Sequence, residues 1–269
     1  MSAQPPDRSS AASTALGRPR VHLRRTDSTN ERARVLALAG APHGTLVTAA
    51  EQTAGRGRQG RRWSAPPGSS LLMSLILRHP VPLLPLIAAV AVCDVVGERA
   101  LVKWPNDIVL ETAGAARGGG EHPRGETALS KLAGILVEGR PQEGWVVLGI
   151  GLNVAVDLQE LAQELRAGSA GSAGERAPMP AASLGGSAAD VEPLLEELLD
   201  ALSRRLAEPA ERTLEAWRVR DALYGREIAW SAGHGSAQGV DDRGRLVVAL
   251  DDGEHTALSA GEVHLEDIS

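Results

Sequence analysis

The sequence of 269 residues contains no phenylalanine, one tyrosine and one cysteine. Its core must therefore be built from aliphatic side chains and a few tryptophans, and hydrophobic residues, at 43% of the chain, are sufficient for this. The single cysteine, Cys93, excludes an internal disulfide and is typical of a reducing compartment, so we expect a cytoplasmic location. Because Cys93 lies in an apolar run, we expect it to be a small buried side chain.

Long hydrophobic runs are also absent. The longest one, Leu83 to Val92, contains Pro85 and is too short to span a bilayer, and residues 1–19 have no apolar signal core. The net charge is −6, there is no basic domain, and aromatic residues make up 2% of the chain, which leaves little surface for stacking on bases. We therefore expect neither a membrane nor a nucleic acid as partner.

Lysine and asparagine are both rare. Of 28 lysines and arginines, only Lys103 and Lys131 are lysines, and the only asparagines are Asn30, Asn106 and Asn153. A chain that uses arginine almost everywhere else has kept a compact ammonium at two positions, which indicates sites where a planar guanidinium does not serve. We therefore treat all five residues as candidate functional residues.

The chain is rich instead in glycine and arginine between Gly55 and Trp63, the segment called the flap below. Its three glycines allow a close approach of the backbone to a ligand, and its four arginines can grip an oxyanion with paired donors. A G-x-G-x-x-G pattern can be traced from Gly55, but the arginines inside it and the missing βαβ context argue against a dinucleotide-binding turn. The flap predicts an anion-binding loop, with an ordinary solvated turn as the alternative.

The residues from Ser28 to Glu31 predict the start of a helix. Their S-x-x-E spacing is that of a capping box, and the apolar residues that follow fit an amphipathic helix that stops at Gly40. Thr29 and Asn30 lie in its first turn, and helix N-termini also bind anions and carboxylates. Two interpretations stay open: a simple helix cap and a helix end that binds a ligand.

A polar turn is predicted between two short apolar strand pieces, residues 101–103 and 108–110. Pro105 must break the strand pairing there, so Lys103, Asn106 and Asp107 would be held on a rigid turn. A surface Pro-Asn-Asp turn is the alternative.

A buried strand is predicted from Ser130 to Glu138, with Lys131 at its entrance. Regular alternation would divide its side chains between two faces, with Lys131, Ala133 and Ile135 on one and Leu132, Gly134 and Leu136 on the other. A lysine at a strand end is ordinarily a solvated boundary residue, so only the scarcity of lysine argues for a functional role.

The length favours one large domain with a small appendage. We expect a disordered leader in residues 1–20, a domain at 21–223 with mobile insertions at 112–127 and 167–189, and a C-terminal domain at 224–269. The last segment consists of short strands separated by turns such as Asp242-Arg243-Gly244, and it predicts a small SH3-like β-barrel.

Taken together and in this order, five motifs resemble biotin protein ligases: Ser28 to Asn30, Gly55 to Arg61, Lys103 to Asp107, Lys131 to Glu138 and Gly149 to Asn153. The resemblance covers about residues 21 to 269 and implies an α+β fold like the catalytic domain of class II aminoacyl-tRNA synthetases, a mixed, mainly antiparallel sheet with flanking helices, plus an SH3-like C-terminal β-barrel. It implies an ATP-dependent ligase that forms biotinyl-5′-AMP and transfers biotin to a lysine of a carrier domain. Some members begin with a DNA-binding winged helix-turn-helix; we expect the monofunctional type without it.

The resemblance also implies the roles of individual residues. Biotin would be bound by Ser28, Thr29, Asn30, Gln52, Arg56, Gly57, Arg58, Lys131 and Gly134. ATP and the adenylate would be bound by Arg56, Arg58, Trp63, Lys103, Asn106, Lys131 and Asn153. The catalytic residues would be Lys131, Arg56, Arg58 and Asp107, with no dedicated metal site, since Mg²⁺ would be carried by ATP.

The implied partner is the biotin carboxyl carrier domain of acetyl-CoA carboxylase, and the chain would be a monomer or a ligand-dependent homodimer. Two alternatives stay open. A lipoate or octanoate ligase or transferase shares the scaffold, although the flap and the turn from Lys103 to Asp107 favour biotin. A non-catalytic biotin-sensing module is the alternative from another functional class.

Overall fold

The computed structural model describes residues 16–79, 81–113, 127–168, 179–259 and 263–265. Most of the predicted leader (residues 1–15) and the centres of the two predicted insertions (residues 114–126 and 169–178) lie outside the described residues.

The described chain contains strands and helices in two units. The strands are β1 (Arg20–Leu23), β2 (Leu46–Ala49), β3 (Gly55–Arg56), β4 (Arg62–Trp63), β5 (Ser70–Arg78), β6 (Ala100–Lys103), β7 (Asp107–Ala113), β8 (Thr127–Arg140), β9 (Trp145–Asn153), β10 (Glu227–Trp230), β11 (Gly233–Val240), β12 (Leu246–Ala249), β13 (His255–Leu258) and β14 (His264–Leu265). The helices are α1 (Thr29–Leu38), α2 (Leu84–Val96), α3 (Leu158–Gly168), α4 (Val191–Ala207) and α5 (Ala210–Arg218). Within the described residues, no helix is both long and apolar enough to cross a membrane.

A seven-stranded sheet in the order β1-β2-β5-β9-β8-β7-β6 organises the first unit. Its β1–β2 pair is parallel and its other pairs are antiparallel, which confirms the predicted mixed, mainly antiparallel sheet. The C-terminal unit is a separate five-stranded antiparallel sheet in the order β13-β12-β11-β10-β14.

The two faces of the large sheet are covered by different helices. On β5, the odd-numbered residues from Leu71 to Leu77 join the main core under α2 and α4, whereas Ile76 packs on the other face with Ala33 and Ala37 of α1. Helix α2 is apolar on all sides, as expected of a helix buried in a core. It contains Cys93, which is fully buried as predicted, and burial raises the pKa of its thiol to about 12.

Helix α1 begins and ends where the sequence indicates, but its predicted capping box is wrong. Ser28 is the N-cap residue, yet its side chain makes no capping hydrogen bond. Instead of turning back toward Ser28, the Glu31 carboxylate pairs with Arg34 and Arg56. Two guanidinium groups offer this carboxylate more donors, and a full opposite charge, than the single backbone N–H of Ser28 does. Gly40, with φ of +89°, follows the helix as predicted.

The predicted alternation around Lys131 is also wrong, because the strand contains a β-bulge. Ile108 of β7 pairs with Ala133, but the next residue, Val109, pairs with Lys131, so that Leu132 is the extra residue on β8. A bulge turns the side chains that follow it toward the other face. Lys131 therefore shares a face with Gly134, and its Nζ lies 3.3 Å from the position that a Cβ of Gly134 would occupy. It also lies inside β8 rather than at the strand entrance.

The turn between β6 and β7 contacts the C-terminal unit directly. Lys103 Nζ donates to the carbonyl oxygen of Val263 at 2.7 Å, and Trp104 Nε1 donates to the carbonyl oxygen of Gly244 at 3.1 Å. Lys103 and Trp104 are 7% and 2% exposed, so both contacts are shielded from water. The strand–turn–strand pattern around Pro105 was predicted; its attachment to the C-terminal sheet was not.

Asp221 lies in the connection between the two units and carries a buried carboxyl group. Its Oδ1 accepts a hydrogen bond from the Leu223 N–H at 2.8 Å, whereas its Oδ2 has no hydrogen-bond partner among the described residues. Burial raises the pKa of Asp221 to about 6 from an ordinary value of 3.8. The folded state therefore holds this proton more tightly than the unfolded state does, and stability is lost as the pH rises through the interval from about 4 to about 6.

We expect Asp221→Asn to remove this pH dependence. Relative to the wild type, the free energy of unfolding of the variant should increase by about 2–3 kcal/mol between pH 4 and pH 8, at about 1.4 kcal/mol per pKa unit. Urea unfolding of both proteins at several pH values measures the difference. A difference that stays constant from pH 4 to pH 8 would show that Asp221 titrates normally.

Candidate functional site

A small cavity of about 30 Å³ lies where the first turn of α1 meets the middle of the large sheet. The cavity is lined by Ser28, Thr29, Asn30, Gln52, Arg56, Trp63, Met73, Leu136, Gly149, Ile150 and Gly151. Six of these were predicted as site residues: Ser28, Thr29 and Asn30 from the helix start, Arg56 and Trp63 from the flap, and Gln52 from the resemblance alone. The fold therefore brings the N-terminus of α1, the flap and the glycines of β9 to one place.

The inner wall of the cavity is a network of neutral hydrogen-bonding groups. Gln52 Oε1 accepts from the backbone N–H of Thr29 at 2.7 Å and lies 3.0 Å from its hydroxyl. Ser74 Oγ, which is fully buried, lies 2.8 Å from Thr29 Oγ1 and 2.6 Å from Asn30 Oδ1. These groups form a fixed polar lining without net charge.

Two glycines of β9 leave room for two side chains that line the cavity, Asn30 and Trp63. A Cβ on Gly149 would lie 2.1 Å from Asn30 Oδ1, and a Cβ on Gly151 would lie 2.7 Å from the indole ring of Trp63. The spacing of two residues places both glycines on one face of the strand. That face is covered by Asn30 and Trp63, so glycine is required at both positions.

The flap lies over this wall as a short β-ribbon. Gly55 pairs with Trp63 and Arg56 with Arg62, while Gln59 at the tip has a left-handed φ of 54°. The Trp63 indole packs on Gly151, and its Nε1 has no hydrogen-bond partner among the described residues. The ring therefore lines the cavity on the side of β9.

Both flap arginines that were predicted as catalytic have polar partners. Arg58 Nη1 donates to Asn106 Oδ1 at 3.3 Å. Arg56 lies between two carboxylates, with Nη1 3.4 Å from Glu31 and Nη2 3.0 Å from Glu138. The pKa of Glu31 is lowered, chiefly by its hydrogen bond with Arg34 and to a smaller extent by the charge of Arg56.

Lys131 carries the ammonium group of the site. Its Nζ lies 2.7 Å from Asp107 Oδ1, in an ion pair whose angles fall outside the range of a hydrogen bond. The same atom lies 5.7 Å from the centre of the Trp63 ring, within range of a cation–π contact. The side chains of Lys131 and Asp107 are 27% and 13% exposed, so the pair is partly shielded and still reachable.

The remaining predicted site residues are held by the backbone. Asn106 Nδ2 donates to the carbonyl oxygen of Ile135 at 2.8 Å, which fixes the turn against β8. Asn153 Nδ2 donates to the carbonyl oxygen of Ala182 at 2.9 Å. The ammonium of Lys103 is directed to the C-terminal sheet, so the structure does not bring it to the cluster around Lys131.

Two residues of the site were not predicted to have a role there. Glu138 ends the lysine motif and Ser74 interrupts an apolar strand, so both were visible in the sequence. A serine in the middle of a fully buried strand was a usable signal, because a buried hydroxyl needs a partner. Among the described residues there is no group of three histidine, cysteine, aspartate or glutamate side chains that could hold a metal ion.

Known proteins with similar sequences share both units. Residues 22–155 match the Biotin/lipoate A/B protein ligase family, and residues 226–265 match the Biotin protein ligase C terminal domain. The biotin--[acetyl-CoA-carboxylase] ligase of Paracoccus denitrificans is 34% identical over 250 residues, an alignment covering 84% of this chain and 92% of that protein.

The bifunctional ligase/repressor BirA of Bacillus subtilis (strain 168) is 39% identical over 151 residues, which cover 52% of this chain. That alignment spans 41% of the Bacillus protein.

The solved structures include one with the same architecture. The biotin protein ligase from Aquifex aeolicus in complex with biotin and ATP superimposes with a TM-score of 0.67 at 22% identity, covering 92% of this chain and 98% of that chain. This likeness establishes the fold, a mixed sheet with helices and a C-terminal sheet domain. With the Paracoccus relative aligned over nearly its whole length, the conclusion is that the chain belongs to the biotin protein ligase family.

Proposed function

We propose that the protein is an ATP-dependent ligase that activates biotin and transfers it to a lysine of a biotin carboxyl carrier domain. One observation carries the proposal: a pocket with a neutral hydrogen-bonding wall is also lined by Arg56 and Trp63 of the flap, and the Lys131 ammonium lies 5.7 Å from the centre of the Trp63 ring. Biotin has the matching parts, an uncharged ureido ring and a carboxylate at the end of an aliphatic chain. Relatives named biotin--[acetyl-CoA-carboxylase] ligase support the same activity.

In the proposed arrangement, the neutral pocket binds the uncharged end of biotin. Ser28, Thr29, Asn30 and Gln52 offer hydroxyl and amide groups that can donate to a ureido oxygen or accept from its N–H groups. Because the polar groups of Thr29, Asn30 and Gln52 are already held by Ser74 and by one another, they need little ordering when the ligand binds. Glycine at position 57 lets the flap backbone fold closely beside the ligand. Glycine at position 134 leaves room there for the Lys131 side chain.

The cationic side of the site would handle the two anions of the first step. A biotin carboxylate oxygen attacks the α-phosphorus of ATP, a P–O bond forms, and the bond to the β-phosphate breaks to release pyrophosphate. A carboxylate and a triphosphate repel each other, so preorganised cations lower this barrier. Lys131 and Arg58 are proposed for that work, with Arg56, Trp63, Asn106 and Asn153 positioning the nucleotide and the flap.

In the second step, the amine of the carrier lysine attacks the carbonyl carbon of biotinyl-5′-AMP. An amide bond forms, the bond to the phosphate oxygen breaks, and AMP leaves while the amine loses a proton. We propose a role for Asp107 here, because its carboxylate lies 2.7 Å from the Lys131 ammonium and would become available when the ammonium moves to the substrate anions. Lys103, predicted from the sequence as a nucleotide ligand, has its ammonium on Val263 and is left out of this assignment.

The remaining assignments follow from the reaction. Magnesium would enter with ATP as the counter-ion of the nucleotide. The carrier domain of acetyl-CoA carboxylase is the proposed partner, and the use of ATP favours a cytoplasmic location. We also propose that residues 21–223 form a catalytic domain of the class II aminoacyl-tRNA synthetase type and residues 224–269 an SH3-like barrel, supported by the separate antiparallel sheet in the order β13-β12-β11-β10-β14.

The test is transfer to a carrier. We expect incubation with biotin, ATP, magnesium and an apo carrier domain to raise the mass of the carrier by one biotinyl group, because the activated acyl group passes to its lysine. A carrier whose target lysine is replaced by arginine serves as the control, and lipoate replaces biotin in a parallel reaction. Biotin binding without pyrophosphate release would instead identify a sensor, and preference for lipoate would reassign the substrate.

A further inference from the structure

We propose that Glu138 is a positioning residue that fastens the flap to the wall of the biotin pocket and orients the Asn30 amide. The attachment of the flap is inferred from geometry alone, whereas the expected effects on biotin and adenylate binding rest on the proposed function. Glu138 lies on β8 with its carboxylate between two partners: Oε2 accepts from Asn30 Nδ2 at 2.9 Å, and Oε1 lies 3.0 Å from Arg56 Nη2. One carboxylate therefore connects the pocket wall to the flap.

The first consequence concerns the orientation of the Asn30 amide, whose oxygen and NH₂ group would exchange places if the amide flipped. On one side Ser74 offers a hydroxyl, which can donate or accept and so selects neither orientation. On the other side Glu138 offers a carboxylate, which only accepts and therefore selects the amide NH₂. Asn30 is 6% exposed, so a flipped amide would bring two oxygens together where water cannot separate them. Glu138 thus determines which polar atoms the pocket presents.

The second consequence concerns the charge of Arg56. Its guanidinium faces two carboxylates, Glu31 and Glu138, and so its positive charge is already compensated within the protein. We therefore assign to Arg56 the attachment of the flap base. Closure of the flap and correct orientation of the pocket amide then depend on the same carboxylate.

The structural part is tested by trypsin cleavage of the ligand-free protein. The flap contains four arginines, and its attachment by Glu138 should protect them. We expect Glu138→Gln to accelerate cleavage within the flap about tenfold, since a glutamine cannot accept from both partners and local opening becomes easier. Arg56→Gln removes the same contact from the flap side and should have the same effect. Glu143→Gln is the matched control, because its carboxylate pairs with Arg140 away from the cavity.

The functional part is tested by biotin titration and by retention of the adenylate. Glu138→Gln should raise the dissociation constant for biotin about tenfold and speed the loss of biotinyl-5′-AMP, with a much smaller change in the KM for ATP. Arg56→Gln should speed adenylate loss with less effect on biotin affinity, because it leaves the contact with Asn30 in place. A purely structural role for Glu138 would weaken biotin binding, adenylate retention and ATP binding alike and would lower the unfolding temperature.

The outcomes separate the two proposals. Unchanged flap cleavage and unchanged biotin affinity in Glu138→Gln would overturn the positioning role, even if the wild type forms biotinyl-5′-AMP. If the wild type forms no biotinyl-5′-AMP, the proposed function fails, while accelerated flap cleavage in Glu138→Gln and Arg56→Gln would still support the attachment. Equally accelerated flap cleavage in Glu143→Gln would also overturn the attachment by Glu138, since the loss of a carboxylate away from the flap would then have the same effect.

Discussion

Replacing Lys131 by alanine is expected to lower biotin-dependent pyrophosphate release by at least about 100-fold, the size of effect typical for losing one preorganised group that stabilises developing charge. Lys131 supplies the ammonium of the site, and the only other lysine, Lys103, is directed to the C-terminal sheet. Without it, the carboxylate of biotin and the α-phosphate of ATP would approach each other beside an unbalanced Asp107. Release of pyrophosphate from ATP, measured at saturating biotin, reports this step.

The control must separate chemistry from folding. Lys131→Ala leaves the Asp107 carboxylate, 13% exposed, without its ion-pair partner, and this should cost stability of the order of a few kcal/mol. The double variant Lys131→Ala with Asp107→Asn removes the unpaired charge and should regain much of that stability without regaining activity. Wild-type rates of pyrophosphate release in Lys131→Ala would remove the lysine from the mechanism.

The second large effect is expected for Gly149→Ala, which should weaken biotin binding by at least about tenfold. The added Cβ would lie 2.1 Å from Asn30 Oδ1, a distance that no side chain tolerates, so Asn30 must move. In moving, it would lose its contacts with Ser74 and Glu138, each worth about 1 kcal/mol or more for a buried polar group. Calorimetric titration with biotin measures the affinity directly.

A rescue experiment shows whether Asn30 is the cause. In an Asn30→Ala background the clashing oxygen is absent, so adding Gly149→Ala should cost little further stability, whereas in the wild type it should lower the unfolding temperature by several degrees. The pocket amide is missing from both Asn30→Ala proteins, and biotin binding should stay weak in both. Equal loss of stability in the two backgrounds would locate the clash elsewhere on β9.

Much of the secondary structure could be predicted because it depends on local pattern. Strand β5, Ser70–Arg78, is a run of apolar residues, interrupted by Ser74, between a Pro-Gly turn and a polar residue, and this local pattern favours a buried strand. The broken strand at Pro105 follows from the ring of proline alone. The predictions that failed depend on distant partners: Glu31 turns to the flap, and the bulge beside Lys131 is fixed by its pairing with β7.

The site shows the same division. The motifs at α1, on the flap and on β9 contained residues that the fold brings to one cavity, because rare residue types and paired glycines mark positions where chemistry or space is limiting. Glu138 gained no predicted role, since only the folded sheet places its carboxylate between Asn30 and Arg56. Lys103 became a candidate functional residue because lysine is rare, and the resemblance implied its nucleotide role, yet rarity cannot tell a ligand-binding ammonium from one that binds a backbone carbonyl.

The contacts of Lys103 and Trp104 with the C-terminal sheet have a consequence for how the molecule unfolds. If that sheet detached, a buried ammonium and a buried indole would lose their carbonyl acceptors on Val263 and Gly244, at about 1–3 kcal/mol for each group that remained shielded from water. The same residues lead directly into Asn106 and Asp107. The two units are thus thermodynamically coupled, and melting of the small sheet would also loosen the turn that carries Asn106 and Asp107.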